Sequence, residues 1–215
     1  MSVRDMWRSI VATEGLLIVV NLAIFSLGNT PWAVLGSICL ALAAYHSVRQ
    51  GMGFGHRACG ILQTVEHSRD PESPAHGQLD KEIAAQAWSV SRGIRGALLS
   101  ALAPFVIGLA YIVVSLLGME AVVMPLRVAS WVVALPYWPP VLLWYQTFDR
   151  LTGVVAAVLL ISPFILPACT FAGYMQGPKL WAKSEKAMAE GRRRARAKSR
   201  VNRKKTTPRS QRPQI

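Results

Sequence analysis

Apolar residues in this 215-residue chain lie in long blocks, and the charged residues collect between them. That distribution, more than the apolar fraction of 52%, predicts helices that cross a membrane. The first block covers residues 10–27, and eighteen residues at about 1.5 Å each span about 27 Å, close to a hydrocarbon core. Glu14 lies one turn inside it, where headgroup depth is in reach, and Asn21 lies near mid-depth. Gly28, Asn29, Thr30 and Pro31 make a charge-free turn, and Trp32 opens a second block that reaches Val48. Its Ala33, Ser37 and Ala41 recur every four positions, a spacing that lets helix backbones approach. The third block, 97–117, carries no charge; Gly93, Ala97 and Ala101 form a small-residue stripe leading into it, and Pro104 predicts a kink. The last block, 151–175, is long enough to tilt, with Gly153 and Ala157 as its packing stripe and a bend at Pro163 and Pro167.

Two stretches depart from this rhythm. Residues 49–96 form a long polar connection with a glycine-rich start, Gly51, Gly53 and Gly55, which reads as a flexible exit from the second block. A short helix over 57–67 and a break at Asp70-Pro-Glu-Ser-Pro follow. From Leu79 a second helical pattern places Ile83, Ala87, Trp88, Ser91, Ile94 and Leu98 on one face, as a helix that skims the interface and feeds the third block. Residues 119–150 are apolar enough to cross, yet contain Pro125, Pro136, Pro139 and Pro140, with Trp131, Trp138 and Trp144 beside Tyr137 and Tyr145. Consecutive prolines cannot continue an ordinary helix, and such aromatics favour the headgroup zone, so this stretch reads as an interfacial or re-entrant segment.

The resulting fold class is an all-α polytopic membrane bundle of four transmembrane helices plus one Pro/Trp-rich interfacial or re-entrant segment. Its parts are an N-terminal transmembrane hairpin (1–48), a cytoplasmic loop with short helices (49–96), a C-terminal transmembrane pair (97–175) with the interfacial segment 119–150, and a basic cytoplasmic tail (176–215).

Charge changes the picture by fixing sides. The tail holds fourteen Lys/Arg against Glu185 and Glu190, which is +12 of the chain's formal +13, so the remainder is nearly neutral. Cations beside a last span oppose translocation, which places the tail in the cytoplasm. With four spans the N-terminus and the 49–96 loop, with its six Lys/Arg, are cytoplasmic too; with five they would both lie outside. The four-span arrangement satisfies every loop.

Motif chemistry is sparse. His56 and Cys59 are spaced like half of a zinc site, but no second close pair completes four ligands, so neither a metal nor any cofactor is assigned. Gly51-Met-Gly-Phe-Gly lacks the Lys-Ser/Thr of a phosphate cradle, and no G-x-S-x-G or H-E-x-x-H occurs. Cys39, Cys59 and Cys169 make no disulfide framework.

The functional expectation is a non-enzymatic integral membrane protein, an accessory or scaffold subunit. Its tail contacts come through Lys179, Lys183, Lys186, Arg192, Arg193, Arg194, Arg196, Lys198 and Arg200, in a stretch that reads as helical to about Arg200 and disordered past Val201. The partners this predicts are anionic lipid headgroups first, then a protein partner or an oligomer through small-residue faces, then RNA or a ribosome, for which charge alone speaks. The alternative is a small transporter or permease subunit, for which Asn21, Glu120 and Arg127 are the intramembrane polar candidates, with a path near Asn21, Pro104 and Pro163.

Overall fold

The computed structural model describes residues 3–69, 81–84, 86–143 and 153–206. The Asp70-Pro break, Trp144, Tyr145 and the tail beyond Thr206 lie outside the described residues. Within them the elements are helical: α1 (Val3–Phe25), α2 (Asn29–Arg69), α3 (Lys81–Ala84), α4 (Val90–Leu116), α5 (Glu120–Ala134), a 3-10 turn (Leu135–Tyr137), α6 (Trp138–Leu142), α7 (Gly153–Ile161), a second 3-10 turn (Ser162–Phe164), α8 (Ile165–Met175) and α9 (Gly177–Thr206). Four helical stretches, Val3–Phe25, Asn29–Glu66, Val90–Leu116 and Gly153–Ser199, are long and apolar enough to cross a membrane. Gly28 and Gly118 close the turns after α1 and α4 at φ of 102° and 68°, a left-handed conformation that side chains with a Cβ resist.

The largest departure from expectation is α2. The glycines at 51, 53 and 55 do not loosen the chain; α2 runs through them as one helix of 41 residues, about 62 Å long. The separate helix expected at 57–67 is the last part of it. The reason is packing: a Cβ on Gly51 would lie 2.0 Å from the Thr170 carbonyl oxygen, and one on Gly55 would lie 2.3 Å from that of Tyr174. From the other side, a Cβ on Gly173 would lie 2.0 Å from the Val48 oxygen, and one on Gly177 2.3 Å from the Gly55 carbonyl carbon. Two glycine pairs at i and i+4 therefore face each other and bring the backbones together. The backbone cost of glycine in a helix is offset by van der Waals and Cα–H···O contact along the seam.

The register of these contacts gives the direction. Gly51 meets Thr170, Gly55 meets Tyr174 and Gly177, Gly60 meets Trp181, and Gln63 meets Glu185, so α2 runs parallel to α8 and then to α9. Gly177 and Pro178 do not end the helical run. A single turn residue, Gln176, separates α8 from α9, and Pro178 stands in the first turn of α9, where its missing N–H leaves no carbonyl unpaired.

Packing elsewhere corrects the expected stripes in part. Gly93, Ala97 and Ala101 are buried on α4 as predicted, and α4 continues through Pro104. On α2, Ala33 is buried but Ser37 is only half-buried and Ala41 is exposed; the buried small residues include Gly36, Ala43, Ser47, Gly51 and Gly55. Gly153 and Ala157 are exposed on α7, where Val155 and Leu159 face inward instead. Pro163 breaks the last apolar block with a 3-10 turn, as the sequence predicts. The interface-skimming helix from Leu79 is not continuous: α3 ends at Ala84, and α4 starts at Val90 with Ser89 Oγ accepting from the Arg92 N–H.

Residues 119–143 form a hairpin inside the bundle. α5 descends beside the end of α4, so that Val123 and Leu126 pack on a cluster with Tyr111, Ala134, Leu135 and Trp138. The 3-10 tip carries Tyr137 down to Leu17, Ala43 and Leu166. α6 then returns, and Leu142 and Leu143 border a cavity with Asn29 and Thr30, which open α2 and do not belong to the turn expected over 28–31. Trp138 is 1% exposed and Tyr137 5%, so these two aromatics fill the core and do not lie in a headgroup belt. Pro139 and Pro140 fall in the first turn of α6, which explains why a new short helix starts there.

Candidate functional site

Two places concentrate polar side chains, the middle of the bundle and the end where α1 begins and α8 finishes. In the middle, Asn21 is completely buried. Its Nδ2 donates to the Leu17 carbonyl at 2.9 Å and its Oδ1 accepts from Trp32 Nε1 at 3.1 Å. The side chain therefore ties α1 to the start of α2, with Gly36 and Pro139 closing over it. Asn21→Leu is expected to cost about 0.6–1.7 kcal/mol. In a double-mutant cycle with Trp32→Phe the two losses should be non-additive, and equilibrium unfolding in detergent measures both.

Glu14, read from the sequence as a headgroup-depth residue, points inward instead. Its Oε1 is buried without a hydrogen-bond partner among the described residues, and so is the Tyr137 hydroxyl of the hairpin tip. Glu14 and Cys169 lie within electrostatic reach of that hydroxyl. Glu120 is the first residue of α5. Arg127, two turns on, is half-buried and borders a groove with Met124, Val128 and Trp131. The three residues singled out from the sequence thus occupy two elements, and Asn21 belongs to the α1–α2 contact.

At the other end, Met6, Ile10, Ala58 and Tyr174 form a cluster with Phe54 and Trp88. The α2 continuation leaves this end together with α9. His56 Nε2 lies 3.1 Å from Ser184 Oγ, and its ring is 4.9 Å from that of Trp181. Because Ser184 Oγ already donates to the Trp181 carbonyl at 2.8 Å, the imidazole Nε2–H is the donor to it. Gln63 Nε2 donates to Glu185 Oε1 at 2.7 Å. His56 is thus engaged in joining two helices, and among the described residues no three His, Cys, Asp or Glu side chains converge as a metal site would require.

Past Glu185, α9 leaves α2. Lys179, Lys183 and Lys186 are exposed, as are Arg192, Arg193, Arg194, Arg196 and Lys198, and Arg200 continues the helix. The helix extends through Val201 to Thr206, beyond where the sequence reads as disordered. Arg194 and Glu190 approach to 3.9 Å with both side chains well exposed, a pair that salt screens almost completely. At a helical pitch these cations surround α9 on all but one side, which carries Ser184, Met188, Gly191, Ala195 and Ser199.

Sequence reading missed the glycine seam, although Gly51 with Gly55 and Gly173 with Gly177 stand four apart in the sequence and carry its signal. It also missed the burial of the Glu14 Oε1 and the Tyr137 hydroxyl, for which spacing offers no signal. Compared with known protein families, with curated proteins and with solved structures, the chain matches none.

Proposed function

We propose that the protein is a four-span membrane scaffold with both termini in the cytoplasm and 119–143 as a re-entrant hairpin. It holds a rigid cationic helix away from the bilayer for a protein partner with an acidic surface. The observation that carries this reading is the parallel seam from Gly51/Thr170 to Gln63/Glu185, which makes α9 follow α2 out of the bundle. At about 1.5 Å per residue, Ala197 lies about 33 Å beyond Met175. The Debye length at physiological salt is about 8 Å, so anionic headgroups of the same bilayer exert little pull on cations at that height. Lipid contact is thereby left to Lys179 and Lys183 near the root.

Between protein and RNA, side-chain chemistry favours protein. The chain has no aromatic residue after Trp181 on which a base could stack. The uncharged strip over Met188, Gly191, Ala195 and Ser199 accepts an apolar helix face, with cations on either side for acidic residues. Photocrosslinking from Met188 and Ala195 in native membranes tests this: capture of one acidic protein, lost when Arg192, Arg193 and Arg194 are changed to Glu with the probe kept in place, supports it, and capture of lipid or RNA instead overturns it.

The sidedness has its own test. Cys59 is buried, and burial pushes its thiol above the ordinary range, so little thiolate forms near neutral pH. Cys59 should therefore react slowly with maleimides from either side, its rate rising only at more alkaline pH than a free thiol. Thr64→Cys, on the exposed face of α2, is the better reporter. It should resist an impermeant reagent in sealed cells and react once they are opened.

A small transporter is the second reading, favoured by the buried Glu14 and Tyr137 oxygens beside two 3-10 breaks. Solute uptake lost with Glu14→Gln and retained without 186–215 would select it over the scaffold.

A further inference from the structure

Where α9 leaves the bundle, it forms a groove of about 310 Å3 with α2 and the segment before α4. Two indoles, Trp88 and Trp181, border it, together with Glu66, Glu185, Gln63 and Leu62. The ligand chemistry follows from charge set against the rest of the chain. In a protein of net charge +13, two carboxylates converge here, and among the described residues neither has a cation within salt-bridge distance. Glu185 accepts from the neutral Gln63 amide. Arg92, the cation at the start of α4, is turned to the Ala87 carbonyl.

The walls are ordered from behind, as a preformed site requires. Trp181 rests on Gly60, where a Cβ would lie 3.0 Å from its Cη2, and its ring is tilted against His56. Trp88 stacks on Tyr174 at 6.1 Å, its backbone N–H donates to the Ala58 carbonyl at 2.9 Å, and its indole Nε1 is buried with no partner among the described residues. Two aromatic rings and two carboxylates with no salt-bridge partner among the described residues are the elements that attract an organic cation, through the ring quadrupoles and direct charge. The volume fits a headgroup-sized molecule.

We propose that this groove binds an alkylammonium group, as carried by choline or ethanolamine. The site is separate from the cationic strip of α9 and does not depend on the partner proposed for it. Pro178 stands only three residues beyond the end of α8, about 4.5 Å, so a lipid headgroup and a free ammonium compound can both supply the ligand.

The test uses the full chain in detergent micelles, titrated calorimetrically with choline and with its neutral tert-butyl isostere. Choline is expected to bind saturably and at least about tenfold more tightly than the isostere. Glu66→Gln combined with Glu185→Gln keeps side-chain shape and the acceptor for Gln63, and should lower choline affinity about tenfold with the unfolding midpoint unchanged. Trp88→Leu should weaken it as well. Equal binding of choline and the isostere, or undiminished choline binding in the double Gln variant, would overturn the proposal. Purification from mixed-lipid bilayers identifies the source. An ethanolamine or choline lipid retained by the native chain and lost from the double variant assigns a headgroup, whereas choline binding with no lipid retained assigns a soluble ligand.

Discussion

Gly51→Ala is expected to destabilise the bundle by about 1–3 kcal/mol or more, although alanine is the better helix former. The added Cβ would sit 2.0 Å from the Thr170 carbonyl oxygen, which is backbone and cannot turn aside. The helices must separate instead. Because the same seam sets the direction of α9, the variant should also loosen the Gln63–Glu185 contact three turns away. Gly53→Ala is the matched control: nothing lies within 4 Å of its added Cβ, so it should leave stability unchanged or raise it by about 0.5–1 kcal/mol. Denaturant titrations followed by circular dichroism measure both. Equal effects of the two substitutions would mean that the close approach of α2 and α8 is not what these glycines serve.

Trp138→Ala should have the larger effect on the hairpin, about 3–5 kcal/mol. The indole is 1% exposed, lies 5.3 Å from the ring of Trp131, and shares a cluster with Trp32, Tyr111, Val155 and Leu159 from three other helices. Removing it opens a cavity among protein side chains, where lipid cannot relax to fill it. The expected consequence is release of the 119–143 hairpin with the four long helices still in place. Ser130, 1% exposed, reports this directly: Ser130→Cys should gain thiol reactivity in the Trp138→Ala background and not in the native one. Wholesale loss of helicity would instead make Trp138 a requirement of the entire bundle.

These two sites also mark where sequence was readable and where it was not. The four long apolar helices follow from block length and charge placement, properties local to each block. The Pro163 break and the buried Gly93, Ala97 and Ala101 follow from local chemistry too. Gly51 and Gly55 were legible only in pairs: three alternate glycines raise the chance of a loop, and their use as a helix seam requires Gly173 and Gly177 more than a hundred residues away. Trp138 and Tyr137 reverse the usual preference of such aromatics for the headgroup zone, because the hairpin turns Tyr137 into space left between α1, α2 and α8 and Trp138 into space between α2, α4 and α7. For the candidate sites, the cations of α9 were plain in the sequence and the course of α9 along α2 was not. That course depends on contacts such as Gln63 with Glu185. Asn21 was readable as an interhelical bond, but its partner Trp32 was fixed only by the short turn between α1 and α2. The groove of Trp88, Trp181, Glu66 and Glu185 draws on three distant segments, and no spacing rule joins them.

Carriage of α9 away from the membrane along α2 can be measured directly. A fluorophore on Ala197→Cys, in a background with Cys39, Cys59 and Cys169 replaced by alanine, tests it in liposomes rich in anionic lipid with a headgroup-attached quencher. At about 33 Å beyond Met175, the probe should be quenched scarcely more than in quencher-free liposomes, while the same probe on Met175→Cys should be strongly quenched. Strong quenching at both positions would place α9 flat on the bilayer and rule out its carriage along α2.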